Sequence, residues 1–447
     1  MTGKKPNQRL AALLAEAEWS GADLGRSVNA LGRAQNLSLQ YDRTSVAHWL
    51  SGTRPRHPAP GLIAAALSRR LGRPVTAADA GLTRTPQPAA TSPGLMAESH
   101  STRHALITTL HADMDPVQRV RLTRSSYLPL APPVLRDAVG QLATPTPWQP
   151  DVHTPLAAVE ELDDMSEIFA RLSLHYGGGH PRRLLTHYLA DQAGTLLRAH
   201  PEHTELLAAT GRLLHLLAAM TADADAQALA QRYYHLAYAL AHQARHRHQA
   251  AITLRALSAQ ATLLRHQRYA HDLSDAAVTA AGPRAPASVR AFLLAQRALT
   301  HAHLGDARPA LAALTGAERA HEQASSLTGP FTSYPRAALD FQRGAVLARL
   351  GEHQAAQRAF ERSISQRNGS EHRPLALTHA RTATHLLGTG HLDAACHHWH
   401  AFLDHFPHLE SAPARENLAS LTRHLLPHRR RPPVAALLDR AHHLASQ

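Results

Sequence analysis

From Leu156 to Ser446 the chain repeats itself, and small residues at a fixed phase state the repeat. Each unit has a turn position, an Ala five residues later, a mid-sized or bulky residue four further on, and another marker three beyond that. The Ala positions are Ala230, Ala270, Ala310, Ala356 and Ala395, spaced by 40, 40, 46 and 39 residues. Tyr234, Ser274, Leu314, Phe360 and Trp399 follow them, and then Ala237, Ala277, Ala317, Ser363 and Phe402. Twelve residues ahead of each Ala stand Ala218, Ser258, Ala298, Gly344 and Ala383, all small. Gly305, Gly351 and Gly390 hold the turn in the last three units, with Asp225 and Arg265 in their place in the first two. Small residues at this phase let two antiparallel helices approach closely, while the bulky residue plugs the next unit. One hairpin cannot bury its apolar face alone, so the pattern demands a stacked helical solenoid.

Composition agrees. Hydrophobic residues make up 44% of the 447 residues, enough for a large core and too many for a disordered chain. Aromatics are only 4%, against an abundance of Ala, Leu, Arg, Gln and His, which excludes an all-β fold. The fold class expected is all-α: a small helical bundle followed by a solenoid of helical hairpins. Punctuation divides the chain at a Pro/Thr/Ala stretch after Leu82 and at a second Pro-rich stretch, Pro129 to Pro155. The expected units are residues 1–82, a linker and small helical bridge over 83–155, and the solenoid over 156–447. Helices around Leu156 to Tyr176 and Pro181 to His200, split by Gly177, Gly178 and Gly179, cap or extend that solenoid. Cys396 is the sole cysteine, so neither an intrachain disulfide nor a thiolate metal cluster forms, which suits a reducing cytoplasm. Lys4 and Lys5 lead into an amphipathic run with no signal-type apolar core, so neither export nor a membrane span is expected.

The repeat resembles the tetratricopeptide repeat, most clearly at Arg349 to Ser363 (RLGEHQAAQRAFERS). That resemblance implies a concave face built by the first helix of each hairpin. Positions 2, 5, 9, 12 and 13 of those helices, counted with the small residue as position 8, would point inward. They supply Arg212, His215, Arg255, Thr262, Phe292, His303, Phe341 and Arg349 as candidate ligand contacts. Arg and His beside Phe suit an anionic or amphipathic small molecule, or a peptide with a carboxylate end.

Residues 1–84 carry twelve Lys/Arg against five Asp/Glu, a local charge of +7 out of +13 for the chain. Such a concentration points to an anionic partner. Within it, Leu10, Leu13 and Leu14 mark one apolar face, and Leu24, Val28 and Leu31 another. Asp42 stands in an N-cap position before Thr44 to Leu50, and Ser51-Gly52 ends that helix. Pro60 opens a further helix, and Thr76 with Asp79 reads as a capping box. The run SVAHWLSGTRP resembles the recognition-helix end of Xre/Cro-repressor-type helix-turn-helix domains. Carried over, Val46, Trp49 and Leu50 pack the helix, Arg43, Thr44, Ser45 and His48 face the major groove, and Thr53, Arg54 and Arg56 meet phosphates. The connection from Gly32 to Tyr41 is longer than that family's turn.

His242/His246 and His397/His400 are spaced to converge on a helix, but with 35 His in the composition no metal site is expected. There is no phosphate-binding Gly-rich loop and no nucleophile elbow; Glu160/Glu161 and Asp163/Asp164 are adjacent pairs that diverge on a helix. No enzyme activity and no cofactor are expected. The order of parts resembles actinobacterial regulators with an N-terminal Xre-type domain and C-terminal tetratricopeptide repeats, and more loosely the RRNPP group of peptide sensors. It implies a homodimeric transcription regulator on double-stranded operator DNA, with a small-molecule or peptide effector that alters the spacing of two N-terminal domains. The competing reading is a protein-binding adaptor whose basic domain docks a protein partner.

Overall fold

In the computed structural model the described residues are 6–34, 39–53, 55, 58–71, 75, 79–82, 99–123, 125–129, 156–200, 202–324, 329, 331 and 333–445. Arg54, Arg56 and Thr76, together with most of both Pro-rich stretches, lie outside them. Among the described residues the chain is all α, with no strand.

The N-terminal bundle contains α1 (Gln8–Glu16), α2 (Gly21–Ala34), α3 (Arg43–Leu50) and α4 (Ala59–Leu71). Asn7 caps α1 by accepting from the Leu10 N–H, and its Nδ2 donates to the Ala80 carbonyl at 2.8 Å, tying the start of the bundle to its end. Leu10, Leu24, Val28, Val46, Trp49, Leu62, Ile63 and Leu67 share one core. Asn29 of α2 holds Tyr41, just ahead of α3: its amide accepts from the Tyr41 N–H at 2.8 Å and donates to the Tyr41 carbonyl at 2.7 Å.

Next come α5 (Ser99–Met114) and α6 (Pro116–Thr123), then α7 (Leu156–Tyr176) and α8 (Gly179–Tyr188). A π-turn, Leu189–Ala193, joins α8 to α9 (Gly194–Ala199). The bridge helices dock on the solenoid: Leu106 and Leu110 of α5 enter its core. Buried Asp113 accepts from Arg182 at 2.7 and 2.6 Å and from the Tyr233 hydroxyl at 2.7 Å.

Five hairpins follow: α10 (Thr204–Asp223) with α11 (Gln227–Gln243), α12 (Arg247–Leu263) with α13 (Gln267–Ala281), α14 (Ala287–Leu304) with α15 (Ala307–Glu322), α16 (Arg336–Arg349) with α17 (His353–Ser365), and α18 (His372–Gly388) with α19 (Leu392–His405). Each Ala that marks the repeat lies fully buried on a second helix, and Ala218, Ser258, Ala298 and Ala383 lie fully buried on first helices. The reason for small residues is visible at Gly344, where a Cβ would fall 2.6 Å from two ring carbons of Phe360. The turns also agree with their alignment. Asp225 (φ 68) and Arg265 (φ 65) take the left-handed conformation of Gly305 (φ 88), Gly351 (φ 86) and Gly390 (φ 85). That conformation costs a non-glycine residue about 1 kcal/mol. A last pair, α20 (Ala412–Leu425) and α21 (Pro432–Ala445), joins the core of Trp399 and Phe402.

The series of first helices returns on itself. α7 packs against both α10 and α18. The Gly179 N–H donates to the Glu410 carbonyl at 2.9 Å, and the Glu410 N–H to the Tyr176 carbonyl at 2.8 Å. Gly177 has φ +80, and Cβ atoms on Gly178 and Gly179 would lie 2.6 and 2.7 Å from Met220 and Glu410, so the triple glycine permits this approach. At the seam sits the buried Asp223 carboxylate. It accepts from the Gly178 N–H (2.7 Å), the Arg373 guanidinium (3.0 and 2.7 Å) and the Ser411 hydroxyl (3.0 Å). Burial raises its pKa, but Arg373 and these hydrogen bonds outweigh burial and hold it below the ordinary aspartate value.

Candidate binding site inside the helical ring

The one long spacing in the repeat, 46 residues between Ala310 and Ala356, has a structural counterpart. The connection between α15 and α16 carries Phe331 and Tyr334 inward. Phe331 meets His215 of the first hairpin edge-on, with ring centroids 5.3 Å apart, and Tyr334 meets Phe292 of the third at 5.0 Å. Tyr234 also meets His215 edge-on, with centroids 5.3 Å apart.

Arg255 lies in the middle of these rings. Its guanidinium carbon stands 4.1 Å above the Phe292 ring, a cation–π geometry. Its buried Nε has no hydrogen-bond partner among the described residues, and no ion pair to it occurs among them. Burial lowers its pKa from the ordinary arginine value, and Tyr334 and Tyr234 act in the opposite sense. His215 has its Nδ1 3.1 Å from the Thr253 hydroxyl, and burial, with Arg255 adding to it, drives its pKa down to about 3. It is therefore neutral at physiological pH. Burial likewise pushes Tyr234 and Tyr334 well above the ordinary tyrosine value. Arg255 thus places a positive charge against an aromatic wall.

Beside the cluster a cleft of about 500 Å³ opens between α7, α10, α12 and the start of α14. Asp163, Glu167, Arg212, Gln249 and Ile252 line it, and Phe331 belongs to both cleft and cluster. Arg212 is committed to Asp163, with Nε 2.9 Å from Oδ1. Its charge is balanced before any ligand arrives.

The eight concave-face candidates therefore separate. His215, Arg255 and Phe292 come together, with Arg212 at the neighbouring cleft. His303 and Arg349 lie together further along the ring, where burial lowers the His303 pKa and the charges of Arg349 and Arg381 add to the effect. Thr262 donates to the Ser258 carbonyl at 2.8 Å and accepts from Gln296 at 3.3 Å; Phe341 packs on Phe360, with centroids 5.9 Å apart. Phe331, Tyr334 and Arg381 are absent from the sequence candidates, and Tyr234 enters there only as a repeat marker and not as a ligand contact. The signal for Phe331 and Tyr334 is the long third spacing, which marks an inserted segment with Phe and Tyr close to its end.

In the bundle, α3 has a complete capping box: Asp42 accepts from the Ser45 N–H at 2.8 Å, and the Ser45 hydroxyl faces the Asp42 N–H at 3.4 Å. Donation from the Ser45 N–H, and then from the Ser45 hydroxyl at 2.8 Å, holds the Asp42 carboxyl below the ordinary aspartate value. Arg43, Thr44 and His48 are exposed, whereas Val46 and Trp49 are buried. Ser45 is spent on the cap. Thr53 sits just past the helix, its N–H donating to the His48 carbonyl at 2.9 Å beyond Gly52 (φ +97). Of the His pairs spaced for a metal, His242 and His246 end up on either side of a turn, and the His246 Nε2 faces Glu205 at 3.6 Å. His397 and His400 share α19. No helix among the described residues is long and apolar enough to cross a membrane.

Residues 10–83 match the family model described as the SP15 N-terminal domain, SP15_N. No curated protein matches the chain. Among solved structures the chain is similar to one in the crystal structure of the APC/C hetero-tetramer Cut9-Hcn1. The TM-score is 0.35 at 13% identity, covering 92% of this chain and 86% of that one.

Proposed function

We propose that the protein is a non-enzymatic interaction protein whose helical ring captures an anionic segment of a protein partner, a peptide carboxylate foremost. The observation that carries this reading is Arg255: a half-buried arginine whose guanidinium stacks on Phe292 and whose buried Nε has no partner among the described residues. A charge drawn partly out of water with no carboxylate beside it is costly, and a bidentate carboxylate from a ligand lowers that cost. The cleft provides the entry, with Phe331 in its wall. The experiment is fluorescence anisotropy of the full-length protein with labelled peptides that end in a free carboxylate or an amide. Carboxylate peptides bind, and Arg255→Gln weakens them at least about tenfold, the scale of one charge-assisted hydrogen bond. Equal affinity for carboxylate and amide peptides would remove the basis of the reading.

A second reading rests on α3: a helix capped at both ends that presents Arg43, Thr44 and His48 outward from a region, residues 1–84, with local charge +7. In this reading the bundle docks α3 in the major groove of double-stranded DNA, and the ring sets the spacing of two bundles in a homodimer, tuned by its ligand. Binding to the chain's own promoter region is then sequence-specific and falls steeply with salt. Arg43→Ala with His48→Ala abolishes the sequence preference while helical content stays. If the bundle instead docks a protein, that double variant leaves DNA affinity unchanged.

A further inference from the structure

A cluster away from the ring interior has its own chemistry. His271 and Asp275 stand four residues apart on α13, so they share one face of the helix. The neighbouring first helix, α14, brings His301 to the same place. One ligand atom from each of the three lies within 4.8 Å of the others, and His271 Nε2 is 3.5 Å from Asp275 Oδ2. The two imidazole rings are 4.5 Å apart between centroids and inclined by 58°. Tetrahedral zinc with bonds of about 2.0–2.2 Å places its ligand atoms about 3.3 Å apart. Shifts of up to about 1.5 Å between ligand atoms bring them to that separation.

The surroundings already orient the ligands. His271 Nδ1 lies 3.4 Å from the Thr300 hydroxyl, and His301 Nδ1 3.5 Å from Asp306 Oδ2, so both rings have Nε2 left for a metal. Thr300 is in turn held by the Ser274 hydroxyl at 2.9 Å. Arg297, one turn before His301, faces Asp275 Oδ1 at 2.8 Å and leaves Oδ2 turned toward His271. A carboxylate or hydroxyl behind each metal-binding imidazole is the supporting arrangement that metal sites use to set tautomer and direction. The side chains of His271, Asp275 and His301 are 20%, 43% and 13% exposed, which gives a hydrated ion an entry path.

We propose that His271, Asp275 and His301 bind a divalent zinc-type cation that staples the second hairpin to the third. Two imidazoles and a carboxylate suit Zn²⁺ with a fourth position open to water, whereas Mg²⁺ and Ca²⁺ demand more oxygen ligands. The bound ion fixes α13 against α14 at the base of the helix that carries Phe292. The site shares no residue with the peptide reading and stands or falls separately.

The test uses the full-length protein, treated with a chelator and dialysed, then titrated with Co²⁺ and with Zn²⁺ against a chromophoric competitor. The wild type takes up one tight equivalent, shows the visible d–d absorption of low-coordinate Co²⁺, and loses it when Zn²⁺ is added. His271→Ala and Asp275→Asn abolish that absorption and weaken the tight Zn²⁺ equivalent more than about 100-fold, beyond the loss typical of a supporting residue. His397→Ala, in the other histidine-rich spot, changes neither. Far-UV circular dichroism without metal checks that each variant folds; if His271→Ala does not, Asp275→Asn and His301→Gln supply the reading. Weak uptake over several equivalents, the same in wild type and variants, means an adventitious ion only and overturns the proposal.

Discussion

The bundle and the ring use arginine in opposite ways. Arg43 stands exposed on α3 and forms no ion pair among the described residues, in a region with few acids to meet it. In the ring, Arg182, Arg212, Arg343 and Arg373 are drawn to Asp113, Asp163, Glu318 and Asp223, two of these acids nearly inaccessible. Exposed charges act at a distance and contribute little to stability, whereas buried ones lock elements together at the cost of desolvation. Net charge therefore describes the bundle's surface, while in the ring it conceals a set of internal fasteners. Arg255, like Arg349 and Arg381, forms no ion pair among the described residues, and its unpartnered Nε beside Phe292 makes it the candidate contact.

The sharpest way to break this contrast is at the seam. Arg373→Ala leaves Asp223 buried with only neutral donors, so unfolding in urea should show a loss of about 3–5 kcal/mol. Arg43→Ala should cost less than about 0.5 kcal/mol in the same measurement. A loss at Arg373 no larger than that at Arg43 would erase the distinction.

Packing supplies the next effect. Gly344→Ala drives a methyl group into the Phe360 ring and should cost about 1–3 kcal/mol by the same assay. Gly305→Ala meets no atom within 4 Å and pays only for its φ of +88, about 1 kcal/mol.

The ring should also be more sensitive to acid than the bundle. Burial lowers the pKa of His215 to about 3 and, with Arg232 adding to it, that of His235 to about 3. The unfolded chain protonates both near pH 6.5, so it binds more protons than the fold below that pH. Stability is then fully retained above about pH 6.5 and falls on acidification by up to about 1.4 kcal/mol per pH unit for each histidine. The fall continues until the folded pKa values are reached. Urea midpoints measured across this range should flatten in a His215→Gln, His235→Gln variant, and an unchanged slope would mean that other groups govern acid unfolding.

In the bundle, Asp42→Ala removes the cap of α3 at about 1 kcal/mol, measurable by thermal melting. Because Ser45 is engaged in that cap, Ser45→Ala should follow the stability loss of Asp42→Ala more closely than any change in DNA affinity. The smallest effect is at the turns: Arg265→Gly relieves left-handed strain and should gain up to about 1 kcal/mol, partly offset by added freedom in the unfolded chain.

Much of the scaffold was legible in advance. Ala230, Ala270, Ala310, Ala356 and Ala395 could be aligned because close helix packing excludes larger side chains at those points. Asp225 and Arg265 aligned with glycines because turn geometry tolerates a left-handed residue at a small cost. The α3 caps were legible at Asp42 and Gly52, since capping is decided within a few residues. The site was less so. Inward-facing positions were identified helix by helix, but helical phase does not say which of them meet, and the chemistry of Arg212 depends on Asp163, 49 residues away.

The sequence by itself determined the local rules: helices, their turns, and the hairpin phase, each set by residues close in the chain. Only the tertiary structure decided that the first helices return on themselves through Asp223, Arg373 and Ser411, with separations of 150 and 188 residues. It alone placed Phe331 across from His215 and left Arg255 without a carboxylate. Periodicity carries no record of such meetings, because they depend on the curvature that accumulates over every hairpin between them.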